Sequence, residues 1–258
     1  MSAVVGEGDY AAEYERVRPR WLQYAGELRS LLERLLDEAG IDYVQVDARA
    51  KEVASFAEKV RRKRGKYSDP LTEITDLAGL HIIVYYLEDV RRVERVIQSE
   101  FVVDQVHSRD VAAALAPDQF GYLSLHFVVA IGGRRQGLVE WRPFTGMKAE
   151  IQVRTVLQHA WAAIDHKLRY KSSEEAPSEL RRDLFRLSAL LEVADREFAT
   201  LRDSVERVRA GYASRIIQGQ LDLELEASSV EAYFRATGGL ERWRKVAIRA
   251  GFGEGEAE

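Results

Sequence analysis

The stretch that decides the fold is Ala149-Glu150-Ile151-Gln152-Val153-Arg154-Thr155, a short alternating segment that runs directly into a helical pattern. Successive side chains of a strand point to opposite faces, so Glu150, Gln152 and Arg154 share one face and the apolar residues share the other. The alternation alone is also typical of an edge strand with a solvated polar face. An acid, an amide and a guanidinium on one surface, however, suit a site for a metal and a nucleotide better.

The composition is that of an ordinary globular protein. The chain has 258 residues, of which 46% are hydrophobic and 31% charged, enough for a substantial core in one large or two small domains. It has no cysteine, which excludes disulfides and thiolate chemistry and favours a cytoplasmic location. We find no signal peptide and no apolar run of about 18 residues that could span a bilayer. The net charge of -4 argues against a wholly basic nucleic-acid-binding protein.

Helical and strand patterns alternate over the first two thirds of the chain. Apolar spacing predicts helices at about 8–38, 48–64 and 88–100, and alternating or β-branched runs predict strands at 43–46, 80–87, 101–107, 122–131 and 138–154. We expect a loop at 109–121 and a turn at Gly132-Gly133 that joins the last two strands. Strands with interspersed helices predict an α/β or α+β sheet domain that ends near Lys171.

The pattern changes beyond Pro177. Leucine and alanine recur at helical spacing from about 180 to 217, and further helical pattern covers 224–250. We expect the tail at 251–258 to fray. The last third is therefore predicted to be a helical extension that packs on the sheet domain or builds a homo-oligomer.

Two acidic residues come from separate parts of the predicted sheet. Asp76 lies between a short helical turn at 71–75 and the strand that begins at Leu80, and Glu150 belongs to the strand quoted above. Two carboxylates at one rim can hold Mg²⁺, which keeps several waters and takes its remaining ligands from phosphates. Zinc has poor support, because the chain lacks both cysteine and a His-x-x-x-His pair. Each acid alone is more typical of a helix cap or a surface charge.

A basic face marks the second predicted helix. Lys51, Ser55 and Lys59 recur at a spacing of four, and Arg49 lies beside them. Guanidinium and ammonium groups clamp triphosphates and offset the repulsion that a nucleophile meets near a polyanion. The basic run from 59 to 66 is the densest positive patch in the chain. An ordinary solvated helix face remains the alternative for these residues.

Alternation also orders the segment that follows Gly121. Tyr122, Ser124 and His126 project from one strand face, while the apolar residues between them go to the core. We expect the tyrosine and the histidine to be exposed, where they suit base stacking and a phosphate or ribose contact. A packed aromatic residue is the ordinary alternative for a Tyr-x-x-x-His spacing.

Four motifs, taken in order, resemble the synthetase domain of the RelA/SpoT alarmone enzymes. They are Arg49-x-Lys51-x-x-x-Ser55-x-x-x-Lys59, Thr75-Asp76-Leu77-Ala78-Gly79-Leu80, Gly121-Tyr122-Leu123-Ser124-Leu125-His126 and Glu150-Ile151-Gln152-Val153-Arg154-Thr155 with the helix after it. The resemblance covers about 45–171, and four motifs in order are far more specific than one. It implies the α+β class, with a mixed-sheet, nucleotidyltransferase-like synthetase domain at 41–172 between an N-terminal helical segment at 1–40 and a helical C-terminal extension at 173–258.

The resemblance implies a Mg²⁺-dependent pyrophosphokinase that transfers the β,γ-diphosphate of ATP to the ribose 3'-hydroxyl of GDP or GTP and makes (p)ppGpp. Asp76 and Glu150 would hold the metal, and Glu150 would also deprotonate the attacking hydroxyl. By the same resemblance the ATP-binding residues are Arg49, Lys51, Ser55, Lys59 and His81, and the acceptor-binding residues are Tyr122, His126, Gln152 and Arg154. Such a transfer depends mostly on positioning and charge stabilisation.

Two positions depart from the pattern of that family. His81 stands where the family usually has an arginine that stacks on adenine, and Asp118-Gln119-Phe120 replaces a Lys-Pro-Asn run that contacts the acceptor's phosphates. The second change leaves open a toxin-like enzyme that modifies the 3' end of tRNA and has an antitoxin as partner. A third alternative is a nucleotide- or RNA-binding module without catalysis. The presence of both Asp76 and Glu150 favours an enzyme.

Overall fold

The computed structural model describes residues 7–111, 124–170 and 178–250, and the chain divides into two compact units, 1–196 and 197–258. The helices of the first unit are α1 (Glu7–Glu38), α2 (Val53–Arg62), α3 (Pro70–Glu73), α4 (Leu87–Glu100), α5 (Val156–Tyr170) and the first part of α6 (Ser178–Ile217). Its strands are β1 (Tyr43–Ala50), β2 (Ala78–Val84), β3 (Val102–Val103), β4 (Arg109–Asp110), β5 (Leu125–Ala130) and β6 (Lys148–Thr155).

The strands form one mixed sheet in the order β1-β2-β6-β5-β3, and β4 also pairs with β5. Only β2 and β6 are parallel among these pairs. Gly79 lies opposite Glu150 in their register, and His81 lies opposite Gln152. Because β2 and β6 run in the same direction, the residues at their amino-terminal ends meet at one edge of the sheet. This mixed sheet with flanking helices confirms the predicted α+β class.

One face of the sheet carries the main core. Leu28, Leu32 and Leu36 recur on one stripe of α1 and are fully buried with Ile82 and Ile151 of the central strands. Burial along β6 alternates strictly, so its acidic, amide and guanidinium side chains point away from this core. The polar face predicted from the alternation is therefore present in the fold.

A smaller apolar cluster joins the first half of α1 to α2 and α3. It contains the buried residues Tyr14, Phe56, Val60, Ile74 and Leu77. The rings of Tyr14 and Phe56 stack with their centroids 4.4 Å apart. Helix α1 thus packs both on the sheet and on α2, which follows β1, and α3, which precedes β2.

The second predicted helix begins later than the sequence indicates. Residues 48–50 belong to β1 and pair with β2, and α2 begins only at Val53. The hydrogen bonds of this Ala-Arg-Ala segment to β2 outweigh its propensity to form a helix. Arg49 therefore lies in a strand and Lys51 in the connection, so the prediction of a single basic helical face was wrong.

The strand predicted at 138–154 is shorter than expected. Two 3₁₀ turns, Gly133–Gly137 and Arg142–Phe144, precede β6, which begins at Lys148. Pro143 lies in the second turn and has no N–H to donate to a sheet. The strands β5 and β6 are nevertheless antiparallel neighbours, as predicted.

The region between α4 and β5 holds less strand before residue 108 and more after it than predicted. Only Val102–Val103 of the predicted strand 101–107 pairs, because Asp104 Oδ1 accepts bonds from the amides of Val106 and His107 and turns the chain. The predicted loop at 109–121 begins with β4, and residues 112–123 lie outside the described part.

The second unit contains the rest of α6 and the helices α7 (Ala227–Thr237) and α8 (Gly239–Arg249), in agreement with the predicted helical pattern. Helix α7 begins with a capping box in which Glu226 and Ser229 exchange hydrogen bonds, and it ends at Gly238, whose φ of 64° favours glycine. Over the ranges that the structure describes, no helix has both the length and the apolarity needed to cross a membrane.

Candidate active site

Acidic and basic side chains meet in one cavity at the edge of the sheet. This inner cavity has a volume of about 140 Å³ and is lined by Arg49, Lys51, Glu52, Ser55, Asp76, Gly79, His81, Glu150 and Gln152. Asp76 lies two residues before β2, and Glu150 lies near the start of its parallel neighbour β6. The sheet topology therefore brings together two carboxylates that are far apart in the sequence.

The Asp76 carboxylate pairs with two lysines from different elements. Lys51 Nζ is 2.9 Å from Asp76 Oδ2, and Lys59 Nζ is 2.9 Å from Oδ1. The three side chains are only 18%, 20% and 21% exposed, so water screens these charges less than it screens a surface pair. One acidic and two ammonium groups thus share a space that suits a divalent cation together with phosphate oxygens.

Glu150 is held by hydrogen bonds along the polar face of the sheet. Its Oε1 accepts a bond from Gln152 Nε2 at 2.6 Å and lies 3.0 Å from His126 Nδ1, and Arg154 in turn donates to Gln152 Oε1. Burial opposes ionisation of this carboxyl, but the bonds from His126 and Gln152 and the nearby Lys59 charge lower its pKa from 4.5 to about 2. Glu150 is therefore an anion at neutral pH, with both of these bonds on one oxygen.

His126 is buried, with 6% of its surface exposed, so the prediction of an exposed histidine was wrong. It lies in an inner strand of the sheet, with Arg109 of β4 and Gln152 of β6 opposite it in the two registers. Its Nδ1 contacts Glu150, and the residue thereby orients the carboxylate. Tyr122, the predicted stacking residue, lies outside the described residues.

A second cavity, the outer cavity, adjoins the first. Its volume is about 530 Å³, and its lining is Arg49, His81, Gln152, Arg154, His159, Ala162, Ala163, Asp165 and His166. Arg49, His81 and Gln152 line both cavities, so the two spaces lie side by side on the polar face of the sheet. A nucleotide whose phosphates occupy the inner cavity has room for its ribose and base in the outer one.

Helix α5 supplies residues to the outer cavity that the sequence analysis did not assign. They are His159, Ala162, Ala163, Asp165 and His166. Their spacing of three, four and seven places most of them on one helical face. That periodicity, in a helix that directly follows a polar strand, was the sequence signal that could have identified these residues.

The structure also brings together the predicted ATP-binding residues. All of them except Lys59 line the inner cavity, and Lys59 contacts Asp76.

His81 is a neutral residue between two arginines. Burial lowers the pKa of its imidazole most, and the positive charges of Arg154 and Arg49 lower it further, from 6.5 to about 4. At neutral pH the ring is therefore uncharged and presents a flat aromatic surface to both cavities. An uncharged ring can stack on a nucleobase, although it lacks the cationic attraction of an arginine.

The lowered pKa of His81 predicts a pH-dependent stability. In the unfolded chain His81 binds a proton below pH 6.5, whereas in the folded protein it does so only near pH 4. The free energy of unfolding therefore falls as the pH drops from 6.5 to about 4. We expect the His81→Asn variant to lose less stability than the unmodified protein between pH 7 and pH 5. Urea unfolding at both pH values measures this, and equal losses in the two proteins would contradict the prediction.

The donor set of the inner cavity fits a magnesium ion better than a transition metal. Within the described ranges, no group of three or more His, Asp or Glu side chains is close enough to hold a metal ion by itself. Asp76 and Glu150 supply two hard oxygen donors, which suits an ion that also binds water and phosphate. The lysines beside Asp76 suit the phosphates of that complex.

A mixed sheet whose inner cavity brings together two carboxylates and lysine ammonium groups, with a larger cavity beside it, is typical of enzymes of the nucleotide-dependent phosphoryl- or pyrophosphoryl-transfer class. A model of the region found in RelA / SpoT proteins matches residues 48–175. The GTP pyrophosphokinase YjbM of Bacillus subtilis is 32% identical over 196 residues, which cover 73% of this chain and 84% of that protein. The chain therefore belongs to the RelA/SpoT family, which confirms the resemblance inferred from the motifs.

Solved structures agree with this assignment. Small alarmone synthetase 1 from Bacillus subtilis, bound to its product pppGpp, matches with a TM-score of 0.60 and 31% identity, over 76% of this chain and 99% of that one. The same enzyme bound to AMPCPP matches with a TM-score of 0.56 and 28% identity, over 75% of this chain and 99% of that one. Both matches are to the family that the sequence motifs indicate.

Proposed function

We propose that this protein is a pyrophosphokinase that transfers the β,γ-diphosphate of ATP to the ribose 3'-hydroxyl of GDP or GTP, forming (p)ppGpp and AMP. The observation that carries the proposal is the inner cavity, where Asp76 and Glu150 converge beside Lys51. Family membership supports the same activity, since the relative YjbM is a GTP pyrophosphokinase.

ATP occupies the inner cavity with its phosphates and the outer cavity with its base. Lys51 and Lys59 neutralise the phosphates, with Arg49 and Ser55 as further contacts from β1 and α2. The uncharged His81 ring contacts the base where the two cavities join. This arrangement fixes the β-phosphorus, which is the atom that the acceptor attacks.

The acceptor approaches from the β5 and β6 side of the polar face. Gln152 and Arg154 contact the acceptor, and Tyr122 stacks on its base. His126 orients Glu150 through its contact with Oε1, and the other oxygen, Oε2, is the proposed acceptor of the proton from the attacking 3'-hydroxyl. The carboxylate then takes the hydroxyl proton as the new O–P bond forms and the α,β-bridging oxygen leaves with AMP.

Asp76 and Glu150 are the residues that would hold Mg²⁺. When bound, the ion supplies neutralisation of phosphate charge and orientation of the transferred diphosphate. Lys51 and Lys59, which pair with Asp76 in this structure, would then pair in part with phosphate oxygens.

Three further predictions from the sequence accompany the proposed activity. The first is the division into segments at 1–40, 41–172 and 173–258, and the second is a cytoplasmic location. The third is a helical C-terminal extension that packs on the sheet domain or builds a homo-oligomer. A tRNA acceptor and an antitoxin are the partners that a toxin-like enzyme would have, and the acceptor assay described next decides that alternative.

The test uses γ-labelled ATP with Mg²⁺ and, in separate reactions, GDP, GTP or deacylated tRNA. We expect label on a guanine nucleotide and stoichiometric AMP, and no transfer when EDTA replaces Mg²⁺. Label on tRNA alone would overturn the proposal in favour of the toxin-like enzyme. Binding of ATP with no labelled acceptor in any reaction would support a module without catalysis.

A further inference from the structure

We infer that Tyr14 and Arg18 of helix α1 are positioning residues, which hold the peptide of Lys51 so that its ammonium group meets the phosphates of ATP. The inference rests on the proposed function, because it takes Lys51 as a ligand of the donor nucleotide. The carbonyl oxygen of Lys51 accepts a bond from Tyr14 Oη at 2.8 Å and a second from Arg18 Nε at 3.0 Å. These two bonds cross 37 and 33 residues of sequence.

The peptide around Lys51 is fixed from both sides. Its N–H donates to the carbonyl oxygen of Leu77 at 2.9 Å, and Leu77 directly follows Asp76 in the chain. Tyr14 and Arg18 together occupy both lone pairs of its C=O. Lys51 lies between the end of β1 and the start of α2, so neither a helix nor a strand otherwise determines the orientation of this carbonyl group.

Packing and ion pairing hold the two donor side chains, Tyr14 and Arg18, in place. Tyr14 is fully buried and stacks on Phe56 of α2, which fixes the direction of its hydroxyl group. Burial raises the pKa of this hydroxyl to about 12, so it keeps its proton for donation at all working pH values. Arg18 pairs in addition with Glu52, 2.5 Å away, and Glu52 is itself a lining residue of the inner cavity.

The position of the ammonium group follows from this arrangement. Lys51 Nζ reaches Asp76 Oδ2 at 2.9 Å, and it must meet a phosphate oxygen in the same space when ATP binds. A shift of the Lys51 peptide moves the side chain relative to Asp76, and small displacements of binding groups are costly for catalysis. Tyr14 and Arg18 therefore act on ATP through Lys51 without touching the nucleotide.

The same helix offers a matched control for a purely structural role. Tyr24 is also fully buried on α1, and its hydroxyl donates to a backbone carbonyl, that of Met147, at 3.2 Å. Met147 lies just before β6 and is absent from the lining of both cavities. The Tyr24→Phe variant thus removes the same kind of bond from the same helix without affecting the peptide of Lys51.

The experiment compares Tyr14→Phe, Arg18→Met and Tyr24→Phe in the full chain. For each variant we would measure the KM for ATP and for GDP, the dissociation constant of a non-hydrolysable ATP analogue by calorimetry, and the urea midpoint. We expect Tyr14→Phe and Arg18→Met to weaken ATP and its analogue by about 3- to 10-fold, the range of one hydrogen bond. The KM for GDP should stay unchanged, and Tyr24→Phe should change neither nucleotide constant.

A double variant tests whether Tyr14 and Arg18 act on the same carbonyl group. Tyr14→Phe with Arg18→Met leaves the Lys51 carbonyl without either donor, so its loss of analogue binding should exceed the product of the two single losses. If Tyr14→Phe and Tyr24→Phe lower the urea midpoint alike and both leave the ATP constants unchanged, α1 has only a structural role and the inference is overturned. Should the unmodified protein bind the analogue yet label no guanine nucleotide, the proposed function fails while the analogue constants still decide the role of α1.

Discussion

The Glu150→Gln variant is expected to transfer diphosphate to GDP about 10³-fold more slowly than the unmodified protein. A glutamine has the same shape and keeps an oxygen that can accept the bond from Gln152, now 2.6 Å long. It removes the negative charge that both proton removal and cation binding need. The measurement is kcat with saturating ATP, GDP and Mg²⁺, read as labelled product per enzyme.

Binding of the donor nucleotide separates this effect from general damage to the site. We expect the dissociation constant of a non-hydrolysable ATP analogue, measured without Mg²⁺, to change less than about twofold, because Lys51, Lys59 and Arg49 remain. Glu140→Gln is the matched control, since Glu140 is exposed and lies in the turn before β6. Full transfer activity in Glu150→Gln would remove Glu150 from the chemical step.

The stability of this variant needs its own measurement. Because the pKa of Glu150 is lowered from 4.5 to about 2, its ionised form stabilises the fold above pH 4.5, and this contribution disappears as the pH falls toward 2. At neutral pH the substitution removes the contribution. A folded near-ultraviolet circular dichroism spectrum at the assay temperature shows that lost activity reflects lost chemistry.

The sequence predicted those parts of the site that depend on local periodicity. The period-two alternation of β6 is a property of seven consecutive residues, and it correctly placed Glu150, Gln152 and Arg154 on one face. The positions of Asp76 and Glu150 beside two separate predicted strands indicated that they share one rim, and the order of the motifs supported this pair. The parallel pairing of β2 with β6 is the physical reason why these two acids share a cavity.

The errors arose where distant segments decide the local structure. The Ala-Arg-Ala segment before Lys51 is a good helix former, but pairing with β2 makes it a strand. His126 is flanked by the two-residue strand β4, which is too short to leave a periodic signal in the sequence. The contacts of Tyr14 and Arg18 with Lys51 likewise come from tertiary packing, so no sequence pattern indicated them.

The Asp76→Asn variant should show effects of opposite sign with and without metal. With Mg²⁺ we expect the transfer rate to fall by about 10³-fold, since a hard oxygen donor is lost and cation stabilisation of phosphate charge is worth several kcal/mol. Without Mg²⁺ we expect an ATP analogue to bind several-fold more tightly than to the unmodified protein. The reason is that Lys51 and Lys59 no longer pair with a carboxylate that repels phosphate.

Calorimetry with the analogue, in EDTA and then in excess Mg²⁺, measures the change in binding, and labelled transfer to GDP in excess Mg²⁺ measures the change in rate. Asp42→Asn serves as the matched control, because Asp42 is exposed and lies between α1 and β1, away from both cavity linings. Tighter binding in EDTA together with weaker activation by Mg²⁺ requires that the metal and the phosphates meet at the same carboxylate. If the analogue binds Asp76→Asn and the unmodified protein equally in both conditions, Asp76 neither repels phosphate nor holds the ion, and the two lysines would pair with it only for stability.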